Sequence, residues 1–187
     1  MRLRIRSVGN IAQVTRALQA VSASKVRRAQ QAALATRPYA TQAWAVLRHL
    51  SSQPGRNSVH PLLRDREQVR HQLVAVITGD RGLAGAYNIN VVRFALDSFR
   101  ASAVPVSFVI IGRKGRDLIS RQRVDIRAEF GGLPSEPEFS DVSAIGRLLV
   151  DEFLQGRADQ VHVVYTDFVN MLRQVPTAKK LLPLELE

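Results

Sequence analysis

Along the first third of the chain, apolar side chains return every three to five positions. Ile5, Val8, Ile11, Val14, Leu18, Val21, Val26, Ala29 and Ala33 follow the 3.6-residue turn of an α-helix. Gly9 and Pro38 are the only breakers between residues 3 and 50, and Ala, Leu, Arg and Gln, all good helix formers, fill most of the rest. The spacing predicts a helix over 3–36, about 50 Å long at 1.5 Å per residue. Continued through Pro38 with a kink to Leu50, it would reach about 70 Å. A period sustained this far suggests a coiled coil, and the narrow, Ala-flanked stripe admits a second helix at close range. Left in water, the stripe forgoes roughly 25 cal/mol for each Å² not buried. The arm therefore needs a partner, and residues 65–187 show no matching long helix. That partner is another chain, or the sequence given is incomplete.

From residue 71 the pattern changes. Gln72–Thr78 is a continuous apolar run, as expected of a strand covered on both faces. A glycine-rich loop, Gly79–Asn88, leads to a helix over Ile89–Ala101, with Val92, Ala95, Leu96 and Phe99 on one side. Val106–Ile111 is the next buried strand, Gly115–Arg121 a short helix and Val124–Phe130 a strand. Gly131–Pro137 is turn-rich. Ser140 to Ser143 opens a helix that runs to Phe153 or Leu154 and stops at Gly156. Gln160–Phe168 is a third strong strand, and Val175–Leu186 returns as an edge strand. Strands alternating with helices predict an open, mainly parallel, Rossmann-like α/β sheet with right-handed crossovers. Residues 1–64 thus form a helical arm and linker, and residues 65–187 an α/β body.

Charge sharpens that division. The 187 residues include 27 Lys and Arg against 16 Asp and Glu, a net charge of +11. The first acidic residue is Asp65, so residues 1–64 hold eleven of the basic residues and no acid, while the body is neutral. A basic arm invites nucleic acid, although only Tyr39 and Trp44 offer bases a stacking surface. An Arg-rich, acid-free start also has the composition of a mitochondrial targeting peptide, but the helical pattern runs on past residue 33. A third reading places the helix among protein partners whose acidic loops it meets by charge.

Candidate chemistry is sparse. With no cysteine, disulfides, thiolate catalysis, iron–sulfur clusters and zinc fingers are excluded. The longest apolar runs are too short to span a bilayer. Glycines at 79, 82 and 85 give G-x-x-G-x-x-G, which is neither the dinucleotide fingerprint nor a P-loop, and no acidic ribose partner follows the second strand. A tight strand-to-helix turn accounts for them. Gly112-Arg-Lys-Gly115 is either an anion site or a solvated basic turn. His49, His60, His71 and His162 lack metal-ligand spacing and read as structural or surface residues. No nucleophile or acid–base constellation is present in the pattern, and no cofactor or metal is expected.

Two segments together resemble a known family. Arg4 to Lys25, continuing Val26-Arg-Arg-Ala-Gln30, resembles the N-terminal helix of the gamma subunit of F-type ATP synthase. Gly79-Asp-Arg-Gly-Leu-Ala-Gly-Ala-Tyr-Asn88 resembles that family's S-D-R-G-L-C-G-x-x-N turn. Arg37-Pro-Tyr39, His60-Pro-Leu-Leu63, Ile111-Gly-Arg-Lys-Gly115, Val164-Tyr-Thr-Asp-Phe168 and Leu181-Leu-Pro183 follow in the family's order. Ala84 replaces the frequent Cys, Gly79 the frequent Ser, Leu18 a frequent Met and Arg16 a frequent Lys.

The resemblance implies a non-catalytic rotor subunit. In the family the N-terminal helix pairs antiparallel with a C-terminal helix as a central shaft. The shaft stands inside a hexamer of alpha and beta subunits, and the α/β body meets the epsilon subunit and the membrane ring of c subunits. It implies subunit contacts at Arg16, Lys25, Arg27 and Arg28 by charge and at Leu18 by packing. Asp80, Arg81, Gly82, Gly85 and Asn88 match the body turn, with an architectural or docking role. It further implies a peripheral place, not inserted, at the cytoplasmic face of a bacterial membrane, and no specific nucleic acid. The sequence ends where the family continues into its second shaft helix, so half of the antiparallel coiled coil is expected here. A basic module binding RNA or DNA through residues 1–64, and a nucleotide-binding α/β enzyme, are the competing readings.

Overall fold

The computed structural model describes residues 2–52, 60–64 and 66–184. The chain divides into two compact units, Met1–Leu47 and Arg48–Glu187.

The first unit is formed by one helix, α1 (Arg2–Ser52, 51 residues), which runs on past Leu47 and continues through Pro38 without ending there. Proline removes one backbone donor, which leaves the Leu34 carbonyl without its i+4 partner on an exposed face. The hydroxyls along α1 turn inward on the helix itself. Thr15 Oγ1 donates to the Ile11 carbonyl at 2.8 Å, and Thr36 Oγ1 donates to the Ala32 and Ala33 carbonyls at 3.2 and 3.1 Å.

The second unit is built on a five-stranded sheet. Its strands are β1 (Gln72–Ile77), β2 (Val106–Ile111), β3 (Asp125–Phe130), β4 (Gln160–Phe168) and β5 (Gln174–Leu182), in the order β3-β2-β1-β4-β5. The first four run parallel and β5 is antiparallel to β4. The helices are α2 (Tyr87–Arg100), α3 (Arg113–Ile119) and α4 (Phe139–Leu154), with a 3₁₀ turn at Pro61–Leu63.

The two-residue period of the strands sorts the core into two layers. Leu73, Ala75, Val109, Ile111 and Val161 point to one face, where they pack with Ile145, Leu149 and Phe153 of α4. Val74, Val76, Phe108, Ile110 and Val164 point to the other, against Val91, Val92 and Ala95 of α2 and Ile119 of α3. The continuous apolar runs are thus explained by burial on both sides.

Helix starts differ from those expected, and for α4 a capping box explains why. α2 begins at Tyr87, ahead of Ile89, and α3 begins at Arg113, ahead of Gly115. α4 starts at Phe139 behind Glu138, whose backbone N–H donates to the Asp141 carboxylate at 2.8 Å, so Ser140 lies inside the helix. β5 ends at Leu182; the remainder of the expected edge strand includes Glu185 and Leu186, which lie outside the described residues, as does Asp65.

Glu152 is a buried charge on α4, 5% exposed. It accepts from Arg157 Nε at 2.9 Å and from Arg127 Nε and Nη2 at 3.1 and 3.3 Å. These arginines outweigh burial and hold its carboxyl below the ordinary 4.5, the Arg157 hydrogen bond contributing most. A carboxylate with a depressed folded pKa stabilises the fold above its unfolded value and loses that contribution as pH falls. Glu152→Ala is expected to cost about 2 kcal/mol in urea unfolding at pH 7. The gap between wild type and variant should narrow on acidification below the ordinary carboxylate range; an unchanged gap would show the ion pairs to be idle.

Candidate functional site

The carboxyl ends of β1, β2 and β3 are gathered by the loop Thr78–Ala86. Thr78 is buried, and its hydroxyl donates to the Ile111 carbonyl at 2.9 Å while accepting from the Gly115 N–H at 2.9 Å. Two glycines make room for it. A Cβ on Gly112 would fall 2.4 Å from the Thr78 carbonyl oxygen, and one on Gly115 would fall 2.5 Å from the Thr78 hydroxyl. Gly112 also sits at φ +104, where only glycine is at ease.

Asp80 then fastens the three strand ends. Its carboxylate accepts from the Arg113 N–H at 2.8 Å and the Gly132 N–H at 2.7 Å, and faces the Arg113 guanidinium at 3.7 Å. The Arg113 backbone bond is the leading cause of a carboxyl held below its ordinary value, against the opposing effect of burial. Asn88, 7% exposed, closes the loop by accepting from the Gly79 N–H at 2.8 Å. In the segment Gly112-Arg-Lys-Gly115 the two basic side chains are exposed to solvent while the two glycines are buried. The chain's own carboxylate occupies the start of α3, and both glycines are packing positions.

The five residues singled out in this turn separate into two groups. Asp80 and Asn88 face inward and are architectural by their bonds. Arg81, Gly82 and Gly85 face solvent. Between them stands Leu83, fully exposed and at φ +60. A non-glycine residue in this conformation costs of order 1–2 kcal/mol, and no buried contact repays it. Sequence reasoning passed over Leu83 because neither its backbone angle nor its exposure is written in residue type.

On α1 the five candidate contact residues, Arg16, Leu18, Lys25, Arg27 and Arg28, are all exposed. At 100° per residue they do not share a face. Leu18 and Lys25 lie within the stripe formed by Val8, Ile11, Val14 and Val21. Arg16 and Arg27 lie on the opposite side and Arg28 on the flank. Each of those stripe residues is more than half exposed: Val8 65%, Ile11 63%, Val14 59%, Leu18 61% and Val21 54%. Burial of each would stabilise by about 1.5–3 kcal/mol.

Elsewhere, His71 Nε2 lies 2.7 Å from Ser107 Oγ, whose hydroxyl donates to the Asp125 carboxylate. Ser107 is 3% exposed and sits between the other two, an arrangement that ties strand ends together and leaves no base poised on an accessible nucleophile. Among the described residues no group of three or more His, Asp or Glu is placed to hold a metal.

The comparisons with known proteins agree with one another. A family model described as ATP synthase matches residues 1–187. The ATP synthase gamma chain of Desulfitobacterium hafniense is 40% identical over 185 residues, covering 99% of this chain and 65% of its own length. That of Roseiflexus castenholzii is 43% identical over 189 residues, again covering 99% and 65%. The chain thus spans a little under two thirds of the length of these curated relatives. A Tetrahymena thermophila mitochondrial ATP synthase structure, of the central stalk and c ring, matches with a TM-score of 0.69 at 22% identity, covering 91% of this chain and 72% of that one, and so shares the fold.

The division of labour in the turn is testable. Asp80→Ala leaves two backbone donors unpaired and is expected to lower stability by about 2 kcal/mol. Leu83→Gly relieves the backbone and should leave stability unchanged or raise it by about 1 kcal/mol. Thermal unfolding of the two variants checks this, and a destabilised Leu83→Gly would mean that the side chain serves the fold after all.

Proposed function

The chain belongs to the gamma-chain family of ATP synthases, and on that premise we propose that it acts as a central-stalk rotor subunit. It transmits rotation between a membrane ring of c subunits and a catalytic hexamer of alpha and beta subunits, without catalytic groups of its own. The observation that carries this reading is α1: a 51-residue helix without an acid, wet along its apolar stripe and cationic on several sides. A helix lying on one surface would concentrate its contacts on one face. Cations at Arg16 and Arg27, opposite a stripe that holds Leu18 and Lys25, suit a helix enclosed on all sides by other polypeptides. In this role Arg16, Lys25, Arg27 and Arg28 meet acidic loops of the hexamer, with charge steering and register as their main effect, and Leu18 packs. The stripe takes the second helix of an antiparallel shaft.

The body turn divides in the same way. Asp80 and Asn88 hold its shape, while Arg81, Gly82, Leu83 and Gly85 present a docking surface to a neighbouring subunit. Arg81 is of a type enriched among interface anchors, and Leu83 beside it offers apolar surface that only a partner could bury. The epsilon subunit and the c ring are the proposed partners of the remainder of the body. No helix of the described residues is long and apolar enough to cross a membrane. The location proposed from the family is peripheral, at the cytoplasmic face of a bacterial membrane, within the assembled complex.

Mixing the chain with an alpha–beta hexamer from a curated relative tests the assignment. Co-elution at low salt is expected, and Arg27→Glu with Arg28→Glu should weaken association by about tenfold or more. No association at low salt, or binding indifferent to the charge reversal but displaced by one particular RNA or DNA sequence, would replace the rotor reading with a nucleic-acid one.

A further inference from the structure

The edge of the sheet opposite the Asp80 clasp carries a hollow of about 390 Å³. It lies where β2 and β3 begin and α2 ends. Its walls include Leu96, Phe99, Val106 and Val124, half-buried side chains that pack on the core and turn their remaining surface into the hollow. The size falls at the small end of the range for small-molecule sites, which are mostly apolar with a few convergent polar groups.

The polar groups here are unbalanced. Arg100 and Arg123 line the hollow, and Asp125 is the acid among its lining residues. One oxygen of that exposed carboxylate accepts from the Ser107 hydroxyl, with His71 Nε2 2.7 Å behind the same hydroxyl, so two cations stand against one anion. Both arginines are exposed, and Arg123 is held at φ +51, a conformation that a β-carbon disfavours. Two cations against one carboxylate, beside a partly apolar wall, leave a net positive rim that complements an amphiphilic anion.

We propose that this hollow binds a medium-chain amphiphilic carboxylate, with its tail between Leu96, Phe99, Val106 and Val124 and its headgroup on the guanidiniums of Arg100 and Arg123. The volume admits one short acyl chain rather than a two-chain lipid. An acyl tail uses the apolar part of the wall, which inorganic phosphate would leave unfilled. The site is independent of the rotor assignment and stands or falls separately from it.

Decanoate, with decanol as its uncharged counterpart, is the probe. Titration into the full chain, followed by methyl NMR, should shift Leu96, Val104, Val106 and Val124 saturably, with a dissociation constant below about 1 mM. Arg100→Glu with Arg123→Glu should weaken decanoate by about tenfold or more and leave decanol unchanged. Leu96→Trp should fill the hollow and abolish both. Equal affinity for decanoate and decanol in the wild type would overturn the proposal. So would shifts that fail to saturate, or that survive Leu96→Trp and spread equally to Val8, Ile11 and Val14 of α1. Should Leu96→Trp fail to fold, the arginine pair decides alone, because both positions are exposed.

Discussion

The carboxylate of Asp80 is where the body's architecture converges. Parallel strands cannot be joined by tight hairpins, so beyond the ladder itself their carboxyl ends are tied together by what the following loops do. Here one short side chain reaches the start of α3 and the loop after β3 at once, while Thr78 behind it spans β1 and β2. The glycines at 112 and 115 follow from that arrangement, since any larger residue would collide with Thr78. With its inner half bonded so fully, the loop's outer half, from Arg81 to Ala86, stands clear of the core as a surface of defined shape. A rigid base with an exposed rim suits recognition better than a loop that must order itself on contact.

The arm shows the contrary economy. Val8, Ile11, Val14, Leu18 and Val21 of the α1 stripe are all more than half exposed, and most helical stability in proteins comes from tertiary packing of such a stripe. Its cations repel one another along the rod, which keeps it soluble and discourages it from folding back on itself. Arm and body thus stand at opposite ends of the same scale: one stable by its own core, the other dependent on company.

Period, more than propensity, made the fold legible. The 3.6-residue spacing from Ile5 to Ala33 and the apolar runs at Gln72, Val106 and Gln160 define long elements whose packing agrees with their local preference. Helix starts were less legible because they rest on contacts far away in sequence. α3 begins where Asp80, 33 residues earlier, supplies its cap, and no window around Arg113 contains that fact. The cap of α4 lies two positions ahead of Ser140, because Glu138 and Asp141 compete with that serine for the capping role and geometry decides between them. For the turn, residue types identified the segment but not its two faces. Asp80 and Arg81 are neighbours with opposite destinations, and Leu83 gave no signal at all. The hollow at the other edge was equally silent, since Arg100 and Val124 meet only through the sheet.

The antiparallel direction of β5 has a topological consequence. The chain enters the sheet at Gln72 and leaves it at Leu182, and both points lie at the amino-terminal edge, with β4 alone between their strands. That places entry and exit about 10 Å apart at ordinary strand spacing. A unit whose two doors adjoin can be set into a longer polypeptide like a bead on a loop, without rerouting what lies on either side. Lineages could then exchange, enlarge or decorate this body while the segments flanking it keep their course. Drift in the body and constancy in the flanks would be the evolutionary trace of a single reversed strand.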